Sequence, residues 1–135
     1  MKAFILKHMV FSLVLATGVP ILTQCGQKDE SVICTCEYVT IGLKLEYPDG
    51  QPVLLDSCKV FWKSKNRFLE QDMSWNGYYS IVDDSMQNEL KNRQEVMHFT
   101  GYLNGEIVHE QDVPVSADAC HVKYLGTEPL TQTIF

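Results

Sequence analysis

The most constraining feature of this sequence is a two-residue alternation of apolar and polar side chains between residues 39 and 47. Side chains of a β-strand point alternately to the two faces of a sheet, so this pattern predicts a strand with one buried face. The strand ends at Pro48-Asp49-Gly50, a combination that favours a turn. The apolar members of the pattern are Val39, Ile41, Leu43, Leu45 and Tyr47.

Shorter segments of the same character follow at fairly regular intervals. Asn104-Gly105 is the strongest hairpin signal, and Trp75-Asn76-Gly77 favours another turn. About seven short strands with almost no helical periodicity predict an all-β fold, namely an antiparallel β-sandwich with Greek-key connections. Residues 83–93 are polar and predict either one or two helical turns or a crossing between sheets. The further strands are expected at 58–64, 78–82, 95–103, 106–115 and 119–125.

Residues 1–24 have the composition of a secretory signal peptide. Lys2 and Lys7 supply positive charge, and an apolar core at residues 9–19 is interrupted by Pro20. The core is too short to cross a bilayer as a stable helix, which needs about 20 predominantly apolar residues. We therefore expect the signal peptide to be cleaved.

The segment at the end of this signal peptide resembles the signal of bacterial lipoproteins. Leu22-Thr23-Gln24-Cys25 is similar to a lipobox, although the residue before the cysteine departs from the usual Gly, Ala or Ser. The next charged residues, Lys28, Asp29 and Glu30, resemble the export tag of surface lipoproteins in gut-commensal Gram-negative bacteria. The resemblance implies a lipid on Cys25 and an outer-membrane location, at the cell surface or alternatively on the periplasmic face. An ordinary secreted protein with a disulfide at Cys25 is the other interpretation.

Four cysteines follow Cys25, namely Cys34, Cys36, Cys58 and Cys120. An even number in an exported chain predicts two disulfides. A direct bridge between Cys34 and Cys36 would be strained, so each is expected to pair with Cys58 or Cys120. A zinc or copper site that includes His121 is an alternative, but the paired two-residue spacing of structural zinc modules is missing.

Four segments resemble carboxypeptidase-regulatory-like domains, which are transthyretin-like (prealbumin-like) β-sandwiches. They are Val39–Leu45, Asp49–Val53, Gly77–Tyr79 and Ala117–Val122. The resemblance implies a sandwich domain at residues 38–126, with residues 25–37 as a lipidated tether and 127–135 as a C-terminal tail. Domains of this family usually serve as binding, spacer or stabilising modules. Transthyretin-like hydrolases carry a Tyr-Arg-Gly-Ser segment that this sequence does not contain.

The sequence also lacks the motifs of common catalytic sites. It has no Gly-x-Ser-x-Gly elbow, no phosphate-binding glycine loop and no His-Glu-x-x-His helix, so we expect neither an enzyme nor a cofactor. The formal net charge of −6 argues against a nucleic-acid partner. A two-residue loop at Asn104-Gly105 would place Thr100 opposite His109 and His98 diagonal to it, a pair too small for a complete metal site.

Aromatic residues are the favoured candidates for ligand binding. Trp75, Tyr78 and Tyr79 lie next to a predicted turn, and aromatic faces exposed on a sandwich often form ligand platforms. We expect Trp75 to be exposed, but one of the two adjacent tyrosines should face the core. The same group includes Phe61, Phe68 and Trp62, of which Trp62 is expected in the core.

Asp84-Ser85-Met86 resembles an acceptor for O-linked glycosylation in the same group of bacteria, which makes Ser85 a candidate for modification. The combined expectation is a lipid-anchored, non-catalytic binding module for a glycan or for a host or envelope protein. A structural subunit or inhibitor packed on a larger envelope complex is the alternative. A metal-binding protein that uses Cys and His is the third possibility.

Overall fold

The computed structural model describes residues 32–71 and 75–135, in which eight β-strands are the main elements. A 3₁₀ turn at Asp84–Met86 and the one-turn helix α1 (Gln87–Leu90) lie between the fourth and fifth strands. The strands are β1 (Thr40–Glu46), β2 (Ser57–Trp62), β3 (Arg67–Leu69), β4 (Tyr78–Asp83), β5 (Glu95–Leu103), β6 (Glu106–Ala117), β7 (Val122–Tyr124) and β8 (Thr131–Thr133).

The strands form two sheets that pack face to face. Sheet A has the order β4-β1-β8, and sheet B has the order β3-β2-β5-β6-β7. All pairings within the sheets are antiparallel except that of β1 with β8. The chain leaves sheet B after β3 and enters sheet A, where β4 pairs with β1. This is a Greek-key connection. The predicted all-β sandwich is confirmed, with one parallel pair that the sequence did not indicate.

The core lies between the two sheets. Ile41, Leu43 and Leu45 of β1 are buried, as their two-residue spacing predicts. The ring centroids of Tyr79 in β4 and Phe99 in β5 are 5.8 Å apart, so aromatic side chains of the two sheets are in contact. From the inner face of sheet B the core receives Val60, Trp62, Met97, Phe99, Val113 and Val115.

The C-terminal segment, predicted as a tail at 127–135, contains β8 and belongs to sheet A. The Lys44 N–H donates to the Leu130 carbonyl at 2.8 Å, and the Ile134 N–H donates to the Glu46 carbonyl at 2.9 Å. The side chain of Ile134 is buried against the core. A strand of three residues that follows a proline carries too little alternation to be found by its pattern, and the same holds for the short strand β3.

The hairpin between β5 and β6 has the predicted loop but a different register. Asn104 and Gly105 both have positive φ, as a tight two-residue hairpin loop requires. A bulge beside Gly101 places His109 opposite Gly101, instead of opposite Thr100 as predicted. His109 therefore lies against Phe99, with ring centroids 6.3 Å apart, while His98 pairs with Asp112 on the other face. The two histidines cannot share a metal ion.

Candidate functional site

The clearest concave site in the described residues is a trough on the outer face of sheet B. Side chains from three neighbouring strands meet there because residues opposite each other in an antiparallel pair share a face. Phe61 of β2 lies between Phe68 of β3 and His98 of β5, and Lys59 lies opposite Thr100. The trough encloses about 280 Å³ and is lined by Lys59, Phe61, Phe68, His98, Thr100 and Tyr102.

Aromatic rings form the walls of the trough. The rings of Phe61 and Phe68 are 5.0 Å apart between centroids and tilted by 55°, and Phe68 remains 64% exposed. The Lys59 ammonium lies 6.0 Å from the Phe68 centroid and 5.3 Å from the Tyr102 centroid. Ring faces carry negative potential, so they hold this cation in place without neutralising its charge.

Two polar groups of the trough have no polar partner within the described part of the chain. The hydroxyl group of Thr100 makes no hydrogen bond there, although Thr100 is only 8% exposed. Lys59 forms no ion pair with any described carboxylate, whereas Lys63 pairs with Asp112 at 2.5 Å. Lys59 is exposed and Thr100 lines the open trough, so a ligand can reach both groups.

The rim of the trough is acidic and internally bonded. His98 Nδ1 lies 2.7 Å from Asp112 Oδ1, and its Nε2 lies 3.3 Å from Glu110 Oε1. Partial burial raises the pKa of Asp112, but its hydrogen bonds with Lys63 and His98 outweigh burial, so the pKa lies below its ordinary value. Asp112 is therefore ionised at neutral pH and its charge is offset by Lys63, whereas Glu110 has only His98 as a described partner.

A second polar cluster, the N-terminal clasp, joins the segment before β1 to the end of the sandwich that carries β7. A disulfide links Cys34 to Cys120, with Cα atoms 5.3 Å apart. Thr35 Oγ1 lies 2.9 Å from His121 Nε2, and His121 Nδ1 lies 2.7 Å from Asp84 Oδ2. The clasp consists of Cys34, Thr35, Asp84, Cys120 and His121.

Asp84 is the central acceptor of the clasp. Its carboxylate accepts hydrogen bonds from the backbone N–H groups of Val39 at 2.8 Å and Val122 at 2.9 Å. Burial raises the pKa of Asp84, but the hydrogen bonds from Val39, His121 and Val122 outweigh it, so the pKa is lowered. Hydroxyl, imidazole and carboxylate stand in the order of a nucleophilic triad, but here the carboxylate also fastens two separate segments of backbone. We interpret the clasp as structural.

The disulfide pattern differs from the prediction of two bridges. Cys34 and Cys120 are bonded, but Cys36 and Cys58 are free thiols. Cys58 lies opposite Gly101 in sheet B and packs against the core, which keeps it away from the N-terminal segment. Burial accordingly raises the pKa of the Cys58 thiol. Within the described residues, no cluster of three or more His, Cys, Asp or Glu side chains could hold a metal ion.

The three aromatic residues singled out from the sequence do not form one site. Trp75 is 81% exposed, as predicted, and its backbone pairs with that of Tyr78 across the turn. Tyr78 lies on the outer face of sheet A, where its ring covers Gly42 and its hydroxyl group donates to the Thr40 carbonyl. The prediction that Tyr79 binds a ligand is wrong, because Tyr79 is buried and its hydroxyl group donates to the Val53 carbonyl at 2.7 Å.

The remaining candidates are distributed as follows. Cys25, Lys28, Asp29 and Glu30 lie outside the described residues. Ser85 is exposed in the 3₁₀ turn, and its backbone N–H donates to Asp83, which caps that turn. Across residues 32–71 and 75–135, no helix is long and apolar enough to cross a membrane.

The trough could have been found in part from the sequence. Lys59, Phe61 and Lys63 alternate along the second strand and share one face, and the two lysines indicate that this face points outward, which is unusual for a large apolar residue such as Phe61. His98, Thr100 and Tyr102 alternate in the same way along the fifth strand, which is a second signal. The pairing of β2 with both β3 and β5, which brings these residues together, has no signature in the sequence.

Comparisons of the chain with protein-family models, with curated proteins and with solved structures gave no match.

Proposed function

We propose that this protein is a non-catalytic binding module, anchored in the outer membrane by a lipid on Cys25, that holds its ligand in the trough of sheet B. The observation that carries the proposal is the combination of exposed aromatic walls with two polar groups, Lys59 and Thr100, that lack polar partners in the described structure. Ligand sites typically combine an apolar lining with a few convergent polar groups.

The same proposal includes a carboxypeptidase-regulatory-like, transthyretin-like domain. Two features support it: β1 leads into the turn at Asp49-Gly50, where Gly50 has a φ of 81°, and β4 starts directly after Gly77, with a φ of 77°. These are the positions at which the resembling segments occur. Spacer and binding roles are both common for such domains, and the trough favours binding.

Ligand binding can be tested with the full-length lipoprotein in detergent, applied to arrays of immobilised glycans and of envelope and host proteins. We expect Phe68→Ala to reduce binding at least tenfold, because it removes a wall of the trough. Trp75→Ala is the matched control, since Trp75 is also an exposed aromatic residue but lies away from the trough. A ligand lost with Trp75→Ala but retained with Phe68→Ala would place the site at the sequence-predicted turn, and no bound ligand at all would contradict the binding role.

The lipid anchor has a separate test. Cys25→Ala should release the protein from washed membranes, because the acyl chains that hold it can no longer be attached. Digestion by protease on intact cells, with lysed cells as the control, then distinguishes the cell surface from the periplasmic face. Retention of the Cys25→Ala protein in washed membranes would contradict the anchor.

A further inference from the structure

Building on the proposed binding function, we propose that the ligand of the trough is an acidic saccharide. The sugar residue that occupies the trough carries one carboxylate. The apolar face of the sugar would lie on Phe61 and Phe68, its carboxylate on Lys59, and a ring hydroxyl on Thr100. Each of these three contacts would use a side chain of the trough that the described chain leaves accessible.

The walls select the shape of the ligand. Phe61 and Phe68 present tilted faces with centroids 5.0 Å apart, which form an open angle and not a flat shelf. Negative ring faces attract the weakly positive C–H bonds on one side of a sugar ring. The volume of about 280 Å³ lies at the small end of ligand pockets, so it accommodates one ring of a longer chain.

Lys59 selects for a negatively charged group on the ligand. Its ammonium group is positioned by Phe68 and Tyr102 and is not neutralised by a described carboxylate. A ligand carboxylate there would gain a charge-assisted hydrogen bond, which is stronger than a neutral one. Thr100 adds a hydroxyl group that lines the trough and can both donate and accept, which suits a sugar hydroxyl.

The acidic rim limits how many charges the ligand can carry. Asp112 and Glu110 flank His98 on the side of the trough that faces β6. A second anionic group in that direction would meet the Glu110 carboxylate, which no described Lys or Arg neutralises, and the whole chain has a formal net charge of −6. We therefore expect uronate-type sugars to bind and densely sulfated chains to be rejected.

The location of the trough argues against an extended peptide. Peptides that bind to sheets usually add a strand at an edge, where backbone N–H and C=O groups are free. The trough lies mainly over β2 and β5, which are interior strands with partners on both sides. Recognition there must use side chains alone, as in the stacking and hydroxyl contacts of a saccharide.

The experiment uses the full-length lipoprotein in detergent and measures binding by ligand-observed NMR and calorimetry. The probes are oligogalacturonate, a neutral galactose oligomer of equal length, and heparin. For one occupied ring we expect a dissociation constant on the order of 0.1 to 1 mM for oligogalacturonate. The neutral oligomer should bind at least tenfold more weakly, and heparin should bind no better than the neutral oligomer.

Two variants and one control test which residues contact the ligand. Lys59→Met should weaken oligogalacturonate binding about tenfold and leave the neutral oligomer unchanged, and Thr100→Val should weaken both several-fold. Lys65→Met is the matched control, because Lys65 also lies over an aromatic ring, that of Trp62, but outside the trough. Thermal melting of each variant shows that the fold is retained.

The outcomes separate this inference from the proposed function. Equal binding of acidic and neutral oligomers, or no effect of Lys59→Met, would overturn the acidic saccharide while the binding module stands. A protein ligand that is lost with Phe68→Ala, without any saccharide binding, would overturn the ligand class alone. No ligand of any kind in the trough would overturn both.

Discussion

The clasp and the trough use the same types of polar residue in opposite ways. Thr35 of the clasp is exposed but hydrogen-bonded to His121, whereas Thr100 of the trough is 8% exposed and its hydroxyl group has no hydrogen-bond partner in the described structure. Thr100 lines the open trough, where water can hydrogen-bond to its hydroxyl group, so the lack of a protein partner costs little stability. The clasp therefore uses its polar groups to stabilise the fold, whereas the trough leaves its polar groups accessible to a ligand.

One histidine of the clasp and one of the trough show the same difference. His121 and His98 each lie 2.7 Å from an aspartate oxygen. The side chain of Asp84, which pairs with His121, is 11% exposed, but the side chain of Asp112, which pairs with His98, is 50% exposed. Two contacts of equal length should therefore differ in energy, because solvent screens the second one.

The largest expected effect is the loss of the clasp disulfide. Cys34 and Cys120 are 86 residues apart, and closing a loop of this length stabilises a fold by about 4.6 kcal/mol in the chain-entropy model. Cys34→Ser should lower the free energy of unfolding by roughly that amount, measured by urea denaturation. Cys36→Ser is the matched control and should change stability very little, since Cys36 is a free, exposed thiol. A large loss with Cys36→Ser would mean that the bridge involves Cys36.

The second-largest expected effect is the loss of stability when Asp84 is replaced, compared with the loss when Asp112 is replaced. Asp84→Asn weakens hydrogen bonds from His121 and from the backbone of Val39 and Val122, so we expect a loss of about 2 kcal/mol. Asp112→Asn should cost less than about 1 kcal/mol, because its ion pairs are exposed. Equal losses, measured by urea denaturation at pH 7, would show that the trough rim is as structural as the clasp.

The pH dependence of the same carboxylate gives a sharper test. The folded-state pKa of Asp84 is lowered, so the unfolded chain binds the proton more tightly. Its contribution to stability is complete above the unfolded pKa, about 3.9, and is lost as the pH falls through the lower folded pKa. Urea denaturation between pH 6 and pH 2 should show an acid destabilisation that is smaller in Asp84→Asn. An unchanged pH profile in the variant would contradict the role of this carboxylate.

The parts of the molecule that could be predicted from the sequence depend on local patterns. The alternation in β1 and the loop at Asn104-Gly105 are properties of neighbouring residues, and both are found in the structure. The side on which His109 lies depends on a bulge near Gly101, which a hydrophobic pattern does not reveal. The disulfide of Cys34 depends on which strand ends meet, and the trough depends on the register of three strands. Both candidate clusters are therefore properties of the topology.

The smallest expected effects belong to the two threonines, and the difference between them is the test. Thr100→Val keeps the shape of the side chain and removes a hydroxyl group that lines the open trough without a described partner, so we expect stability to change by less than about 0.5 kcal/mol. Thr35→Val removes the hydrogen bond to His121 and should lower stability by about 0.5 kcal/mol, because Thr35 is exposed.

The measurement is urea denaturation of both variants without ligand, with oligogalacturonate binding as the second readout. A Thr100→Val protein of unchanged stability that binds more weakly would show that this hydroxyl group serves the ligand and not the fold. A destabilised Thr100→Val protein would mean that the hydroxyl group supports the sheet, and the contrast between the clasp and the trough would then fail at its central residue.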